Sequence, residues 1–327
     1  MIDVSIIVPA YNHESYIKET VMSLVSQKTD YTYEILIGDD ASTDATGRII
    51  AEMAGVYPGL IRVVRHKKNV GATKNGYSLV KAAKGRYLSF CDGDDQWCDE
   101  ERLQRHIDFL EINPSFAGIC GRIQLMDESG NMLREDTIGE RSMFWNSRRE
   151  VYSKEHFEQW EMPGHICALT IRNFMRMEEH DFRIFYKAHG TVGDRTIVLL
   201  TVLQGLIKCE PDCVGKYRYR VNQQDNFMSR FDQENLYGKD FLMIRRLEQY
   251  ADREFGIQIN AEGIKKDRLA ATVVKAMKDN CPENRRVLRQ IIACSEAPWR
   301  YLMYACKVLV LKWVYWNILK TDRRIRL

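Results

Sequence analysis

Tyr87-Leu88-Ser89-Phe90-Cys91-Asp92-Gly93-Asp94-Asp95 is a short apolar run that stops abruptly on three carboxylates. A run of this length bounded by polar residues suits a strand buried on both faces, as strands of a parallel sheet are. Carboxylates crowded at one strand end repel each other unless something positive lies among them. Hard oxygen ligands favour magnesium or manganese, which take one or two protein carboxylates and complete their shells with phosphate oxygens and water. Gly93 permits a tight turn and a close ligand approach. Taken alone, the motif serves equally well as a solvated acidic turn or a helix cap.

The segments upstream repeat one rhythm. Val4 to Pro9 (VSIIVP) is a β-branched run closed by a proline, which cannot donate to a ladder. Asn12 is a plausible cap for the helical spacing of Tyr16, Ile17, Thr20, Val21, Leu24 and Val25. Strand Tyr33 to Gly38, a helix from about Asp44 to Tyr57, strand Leu60 to Val64, a helix from about Thr73 to Ala83 and strand Tyr87 to Cys91 follow. Alternating strands and helices imply an α/β fold with a mostly parallel sheet, right-handed crossovers and ligands beyond the carboxyl ends of the strands. Attention therefore falls on Ala10 to His13, Asp39 to Asp44, His66 to Asn75 and Asp92 to Trp97.

Downstream, a helix from about Glu100 to Glu111 precedes strand-like Phe116 to Met126 and a turn at Glu128 to Asn131, where the parallel rhythm ends. From Gln233 the pattern is mostly helical, near 233–253, 262–279 and 283–295. We expect a catalytic domain over 1–228, divided into 1–113 and 114–228, and a helical region over 229–327. No internal repeat or low-complexity stretch interrupts it.

Composition narrows the classes. The 327 residues are 45% hydrophobic and 28% charged, ordinary for a chain with a real core. A formal charge of +3 is too small to predict nucleic-acid binding. The nine cysteines include no CxxC pair and no zinc-type His spacing, so reduced thiols are expected. The amino terminus lacks a signal-peptide pattern, and a cytoplasmic location is the expectation. Asp39-Asp40 ends the second strand much as the acidic loop ends the fourth, and such an acid can accept hydrogen bonds from a ribose or base. Asp44 reads more simply as a helix cap. GxGxxG is absent after the first strand, which argues against dinucleotide chemistry.

Taken in order, Val4 to Asn12, Glu34 to Asp44, Asn69-Val70-Gly71-Ala72-Thr73-Lys74-Asn75 and Asp92-Gly93-Asp94-Asp95 resemble glycosyltransferase family 2, of the GT-A fold. Four motifs in sequence are more specific than any one. The resemblance implies an inverting transferase with a nucleotide-sugar donor, usually a UDP-sugar, and a divalent cation, manganese or magnesium. It implies that Ala10 and Tyr11 lie near the base, with Pro9 and Asn12 beside them in the donor site. Asp39 and Asp40 would lie at the nucleoside, Lys74 and Asn75 at the diphosphate, and Asp92, Gly93 and Asp94 would form the DxD motif, with Asp94 and Asp92 on the metal. The family often has Ala-Arg-Asn where this chain has Thr73-Lys74-Asn75, keeping a positive charge but not a bidentate fork. An inverting enzyme also needs a base for the acceptor hydroxyl. The family's acid at a helix start matches His189-Gly190-Thr191-Val192-Gly193-Asp194-Arg195, so Asp194 is the implied base, with Gly193 where Glu is usual. Helix capping is the plainer role for Asp194, and Asp181 is the reserve.

Weaker features complete the set. His165 can reach the cleft or be structural, and Trp97 can stack on a sugar or pack under a helix. Arg218 or Arg220 can meet phosphate or form an exposed cationic strand. The aromatic, basic tail from Trp299, with a helix expected over 298–320, suits either peripheral attachment to the inner membrane face through 298–327, near lipid-linked or glycan acceptors, or a homodimer contact. A binding module without turnover and a membrane-associated scaffold are the competing functional classes.

Overall fold

The computed structural model describes residues 2–134, 149–177, 179–219, 236–294 and 298–314. Two compact units emerge: 1–157 with 161–221, and 158–160 with 222–327. The boundary expected near 228 falls in 220–235, outside the described residues.

In the first unit, β1 (Val4–Ala10) lies between β2 (Tyr33–Asp39) and β4 (Tyr87–Phe90), with β3 (Ile61–Arg65) beyond β2, and all these neighbours are parallel. Parallel neighbours require crossovers, here α1 (Ile17–Val25), α2 (Thr46–Val56) and α3 (Ala72–Ala82). Both faces of β1 are buried. On one of them Val4, Ile6 and Val8 join Ile17, Val21 and Leu24 of α1, Ile35 and Ile37 of β2, and Leu103, Ile107 and Leu110 of α4 (Arg102–Ile112) in one core cluster.

Beyond β4 the sheet becomes mixed. β8 (Leu169–Arg172) is antiparallel to both β4 and β6 (Phe116–Met126), while β6 runs parallel to β9 (Leu206–Arg218). The short β5 (Gln96–Trp97) and β7 (Val151–Tyr152) pair antiparallel with β9. The run of consecutive parallel neighbours thus spans β3-β2-β1-β4, and the other half mixes the parallel β6–β9 pair with antiparallel ones. Three short helices, α5 (Lys154–Glu158), α6 (Ile184–Lys187) and α7 (Asp194–Val202), complete the series before β9.

The second unit contains α8 (Leu236–Phe255), α9 (Glu262–Lys278), α10 (Pro282–Cys294) and α11 (Pro298–Val314). Phe241, Leu269, Val287 and Ile291 form its centre. Lys265, 6% exposed, ion-pairs with Glu248 at 2.9 Å and Glu262 at 3.2 Å. Ala305 and Val308 of α11 pack on Ala270 of α9. Among the described residues, no helix is long and apolar enough to cross a membrane.

Candidate active site

The carboxyl ends of β1, β2 and β4 share one edge, with Ala10 in register with Asp39 and Ile7 with Phe90. The acidic loop extends the β4 ladder along β1, since Cys91 N–H donates to Ile7 O at 3.1 Å and Gly93 N–H to Pro9 O at 3.0 Å. Gly93 is required sterically: a Cβ there would lie 2.8 Å from His13 Nδ1 and 3.1 Å from Pro9 O. The Thr20 hydroxyl of α1 donates to Asp95 O at 2.7 Å and holds the loop from below.

Asn12 does not cap α1. It adopts φ 54°, accepts Thr43 N–H on Oδ1 at 2.9 Å and donates its own N–H to Ser42 Oγ at 3.1 Å. The helix begins after Tyr16 with no side-chain cap. Ala41, facing this loop, has φ 58°. Left-handed backbone costs a non-glycine residue roughly 1–2 kcal/mol, and such strain clusters at functional edges. Tyr11 stands 42% exposed beside it.

Asp39 is buried, accepts Ser42 N–H at 2.9 Å and ion-pairs with Arg65 Nε at 3.2 Å. Asp40 accepts Val70 N–H at 2.7 Å and Gly71 N–H at 2.9 Å, so its carboxylate fixes the loop that opens α3. Asn75, 1% exposed, donates from Nδ2 to Gly38 O at 2.8 Å and meets His66 Nε2 at 3.2 Å. Lys74 is exposed, its ammonium 5.8 Å from the centre of the Tyr186 ring.

Four acids converge here. Burial and then the charges of Asp194 and Asp94 push the Asp92 carboxyl well above the usual range. Burial also raises Asp194, partly offset by its own backbone N–H and Arg195. That carboxylate opens α7, presented by a loop in which His189 Nδ1 accepts Thr191 N–H at 3.1 Å and Val192 N–H at 3.0 Å. Asp95 is fully buried, with Oδ1 accepting Arg218 N–H at 3.0 Å and Oδ2 3.8 Å from His165 Nδ1. Tyr217 lies under the same cluster, and burial followed by these carboxylates raises its phenol.

Several expected contacts take another form. Trp97 is 4% exposed, donates from Nε1 to Phe90 O at 3.2 Å and lies 4.0 Å under the Arg102 guanidinium, so it packs in the core rather than against a sugar. Arg218 is neither an exposed cation nor open to phosphate. It is 3% exposed, and its guanidinium donates to Asp94 O, Asp127 O, Glu128 O and Glu19 Oε2, 4.4 Å over the Tyr16 ring. Its role is to clip the acidic loop to α1 and the turn after β6. Arg220 lies outside the described residues. His165 is buried beneath the loop, 4.5 Å from Tyr217 ring to ring, and desolvation holds its pKa at about 4. His13, not singled out from sequence, places Nε2 3.8 Å from Asp94 Oδ2, and its buried Nδ1 has no hydrogen-bond partner. Only its position directly after β1 signalled it.

Two oxygen-bearing groups fit a metal differently. Asp92 and Asp94 are partly exposed and mutually repelling, a donor set suited to a hard divalent cation that also binds phosphate. Asp95, His165 and Cys167 also lie within 4.8 Å of one another, but all three are buried, beneath the loop rather than facing the edge.

A family model, Glycosyl transferase family 2, matches residues 5–180. The Escherichia coli UDP-Glc:alpha-D-GlcNAc-diphosphoundecaprenol beta-1,3-glucosyltransferase WfaP is 39% identical over 115 residues, 35% of this chain and 43% of that one. The chain spans about a third to a half of the length of the first curated relatives it matches. S. aureus TarS in complex with UDP-GlcNAc superposes with TM-score 0.60 at 17% identity, covering 89% of this chain and 80% of the other. The Pyrobaculum calidifontis mannosyltransferase PcManGT, in complex with GDP-Man and Mn2+, gives TM-score 0.52 at 16% identity over 94% and 80%. With the matched segment covering more than half its length and the GT-A sheet beneath it, the chain belongs to glycosyltransferase family 2.

Proposed function

We propose that this chain transfers a sugar from a UDP-sugar to a hydroxyl of a cell-surface glycan or lipid-linked oligosaccharide, inverting the anomeric centre. The convergence of Asp92 and Asp94 at the end of β4 with Asp194 at the start of α7 supports this most directly. The nucleoside would lie along Pro9 to Asn12 and Asp39, whose orientation Arg65 and Ser42 fix before any ligand arrives.

Lys74, exposed in the first turn of α3, would meet the departing diphosphate as a point charge. Asp92 and Asp94 would hold a divalent cation, which supplies charge neutralisation to the leaving group. Asp194 accepts the acceptor hydroxyl's proton as the oxygen attacks. Its burial raises its affinity for that proton and so strengthens it as a base. No covalent sugar–enzyme intermediate is needed. The UDP-linked names of WfaP and TarS support the donor class, and WfaP's diphosphoundecaprenol acceptor supports a lipid-linked one. PcManGT's Mn2+ supports the cation.

A panel of UDP- and GDP-sugars, with manganese or EDTA, tests this on the intact chain, Asp94→Ala and Asp194→Asn. Consumption of one UDP-sugar only with metal, lost in both variants, is expected. Nucleotide binding with no sugar release across a broad acceptor set would transfer the assignment to a binding module.

A further inference from the structure

Away from the acidic edge, β5 and β9 bring two cysteines together. Cys98 directly follows β5, and its N–H donates to Val214 O at 3.2 Å, so it continues the ladder with β9. Its Sγ lies 3.7 Å from Sγ of Cys213 and 3.4 Å from the Cys213 carbonyl. A disulfide requires an S–S distance of about 2.0 Å, so the sulfurs must close by roughly 1.7 Å. Both thiols line a polar surface depression with Lys28, Asp99, Arg105 and Asp212. Cys98 is exposed and Cys213 half-buried, whereas Cys91, Cys120, Cys167 and Cys209 are buried.

The pair is also polarised. The contact with Cys98 holds the Cys213 thiol down at about 7 against burial, with further help from the charge of Lys216. The thiolate is the reactive form in disulfide exchange.

We propose that Cys98 and Cys213 are an oxidisable dithiol that closes to an intramolecular disulfide when a low-molecular-weight disulfide reaches this depression. The Cys213 thiolate attacks one sulfur of the oxidant, forming a mixed disulfide and expelling one thiolate, which takes up a proton. Cys98, giving up its proton, then attacks the Cys213 sulfur and expels the second thiol. The protein loses two hydrogens and two electrons, and the oxidant is reduced to two thiols. The bond would staple the residue after β5 to β9, on the far side of the Gln96–Lys216 and Trp97–Gly215 pairs from the acidic loop and from Arg218, the residue that clips that loop.

The reduced, intact chain is treated with excess oxidised glutathione near neutral pH, alkylated and mapped by mass spectrometry. The expected result is a Cys98–Cys213 linked peptide, a mass lower by two hydrogens, and reversal by dithiothreitol. Cys98→Ser should instead retain one glutathione on Cys213. The oxidised form should melt several degrees higher, because the cross-link restricts the unfolded chain. Persistence of both free thiols in excess oxidant, or a preferred link between other cysteines, overturns the proposal. No sugar donor enters the experiment, so its outcome is independent of the transferase assignment.

Discussion

Thr73, in the first turn of α3, donates its hydroxyl to the carbonyl of Gly190 at 2.8 Å across 117 positions of sequence. This bond joins the loop fixed by Asp40 to the loop that presents Asp194. One side of the edge therefore sets the position of the acid on the other.

Thr73→Val keeps the side-chain shape and removes the donor. A neutral hydrogen bond contributes about 1 kcal/mol net, so kcat should fall roughly threefold to tenfold, with a smaller change in donor KM. Thr73→Ser should retain wild-type turnover. Steady-state kinetics on the three proteins decides it, and an unchanged kcat in Thr73→Val would show that the tether does not position Asp194.

Asp194→Asn preserves size and the helix start but removes the basic lone pair. A positioned general base contributes roughly 10²- to 10⁴-fold, so kcat should drop by that factor. Calorimetric affinity for UDP should change little. If nucleotide binding falls in parallel with kcat, Asp194 belongs to the donor site and not to the proton transfer.

A buried polar chain predicts the acid sensitivity of the fold. His106, fully buried, contacts Thr170 Oγ1 at 2.8 Å through Nδ1 and Glu210 Oε1 at 2.8 Å through Nε2. Thr170 in turn meets Ser89 Oγ at 2.8 Å, which accepts from Arg102 Nη2 at 3.3 Å. Burial holds the His106 pKa below its ordinary 6.5 although Glu210 opposes this. Burial pushes Glu210 up, but the His106 bond and nearby arginines leave it below its ordinary 4.5. Both groups bind protons more readily when unfolded, so the stability they contribute is fully present above about pH 6.5 and declines on acidification, through His106 first and Glu210 below about 4.5. Over pH 7.5 to 4 the wild type should therefore lose more melting temperature than a variant without His106, since Asp92 and Asp194, whose carboxyls burial raises, act in the opposite sense in both proteins. His106→Gln should be less stable at neutral pH and flatter between pH 6.5 and 5; an identical profile would remove His106 as a source of the slope.

The sequence made the parallel half legible because β1, β2 and β4 are apolar on both faces and end in acids, glycine or proline. Most of β9 escaped notice, only its end around Arg218 being read as a strand. Pro211 and Asp212 are exposed within it, Lys208 and Glu210 break its apolar pattern, and its register against β6 shifts around Cys209 and Cys213. Trp97 takes the packing role of the two expected for it, and Arg218 takes neither of its two, for one reason: a residue type that often meets ligands at a surface was here buried by a partner distant in sequence. Arg102 lies over Trp97, and Tyr16 and Glu19 enclose Arg218. The Asp40 clamp on Val70 and Gly71 was equally invisible, because spacing does not show which backbone donors a carboxylate will accept.

Helix α11 carries the last prediction. Trp299, Met303 and Val310 are 58%, 65% and 60% exposed, and their i, i+4, i+11 spacing places them on one face. Ala305 and Val308 occupy the opposite face against Ala270. From Pro298 to Lys320 the sequence has no acidic residue but contains Arg300, Lys307, Lys312 and Lys320. An apolar stripe flanked only by cations suits an anionic lipid surface, where each Lys or Arg contributes about 1 kcal/mol. The intact chain should float with vesicles containing phosphatidylglycerol, bind neutral vesicles less, and detach as salt is raised. Trp299→Ser combined with Met303→Ser should reduce flotation without lowering the melting temperature, since neither side chain is buried. Equal binding to neutral and anionic vesicles would remove the electrostatic half of this argument, and salt-independent self-association without flotation would assign the stripe to a second copy of the chain.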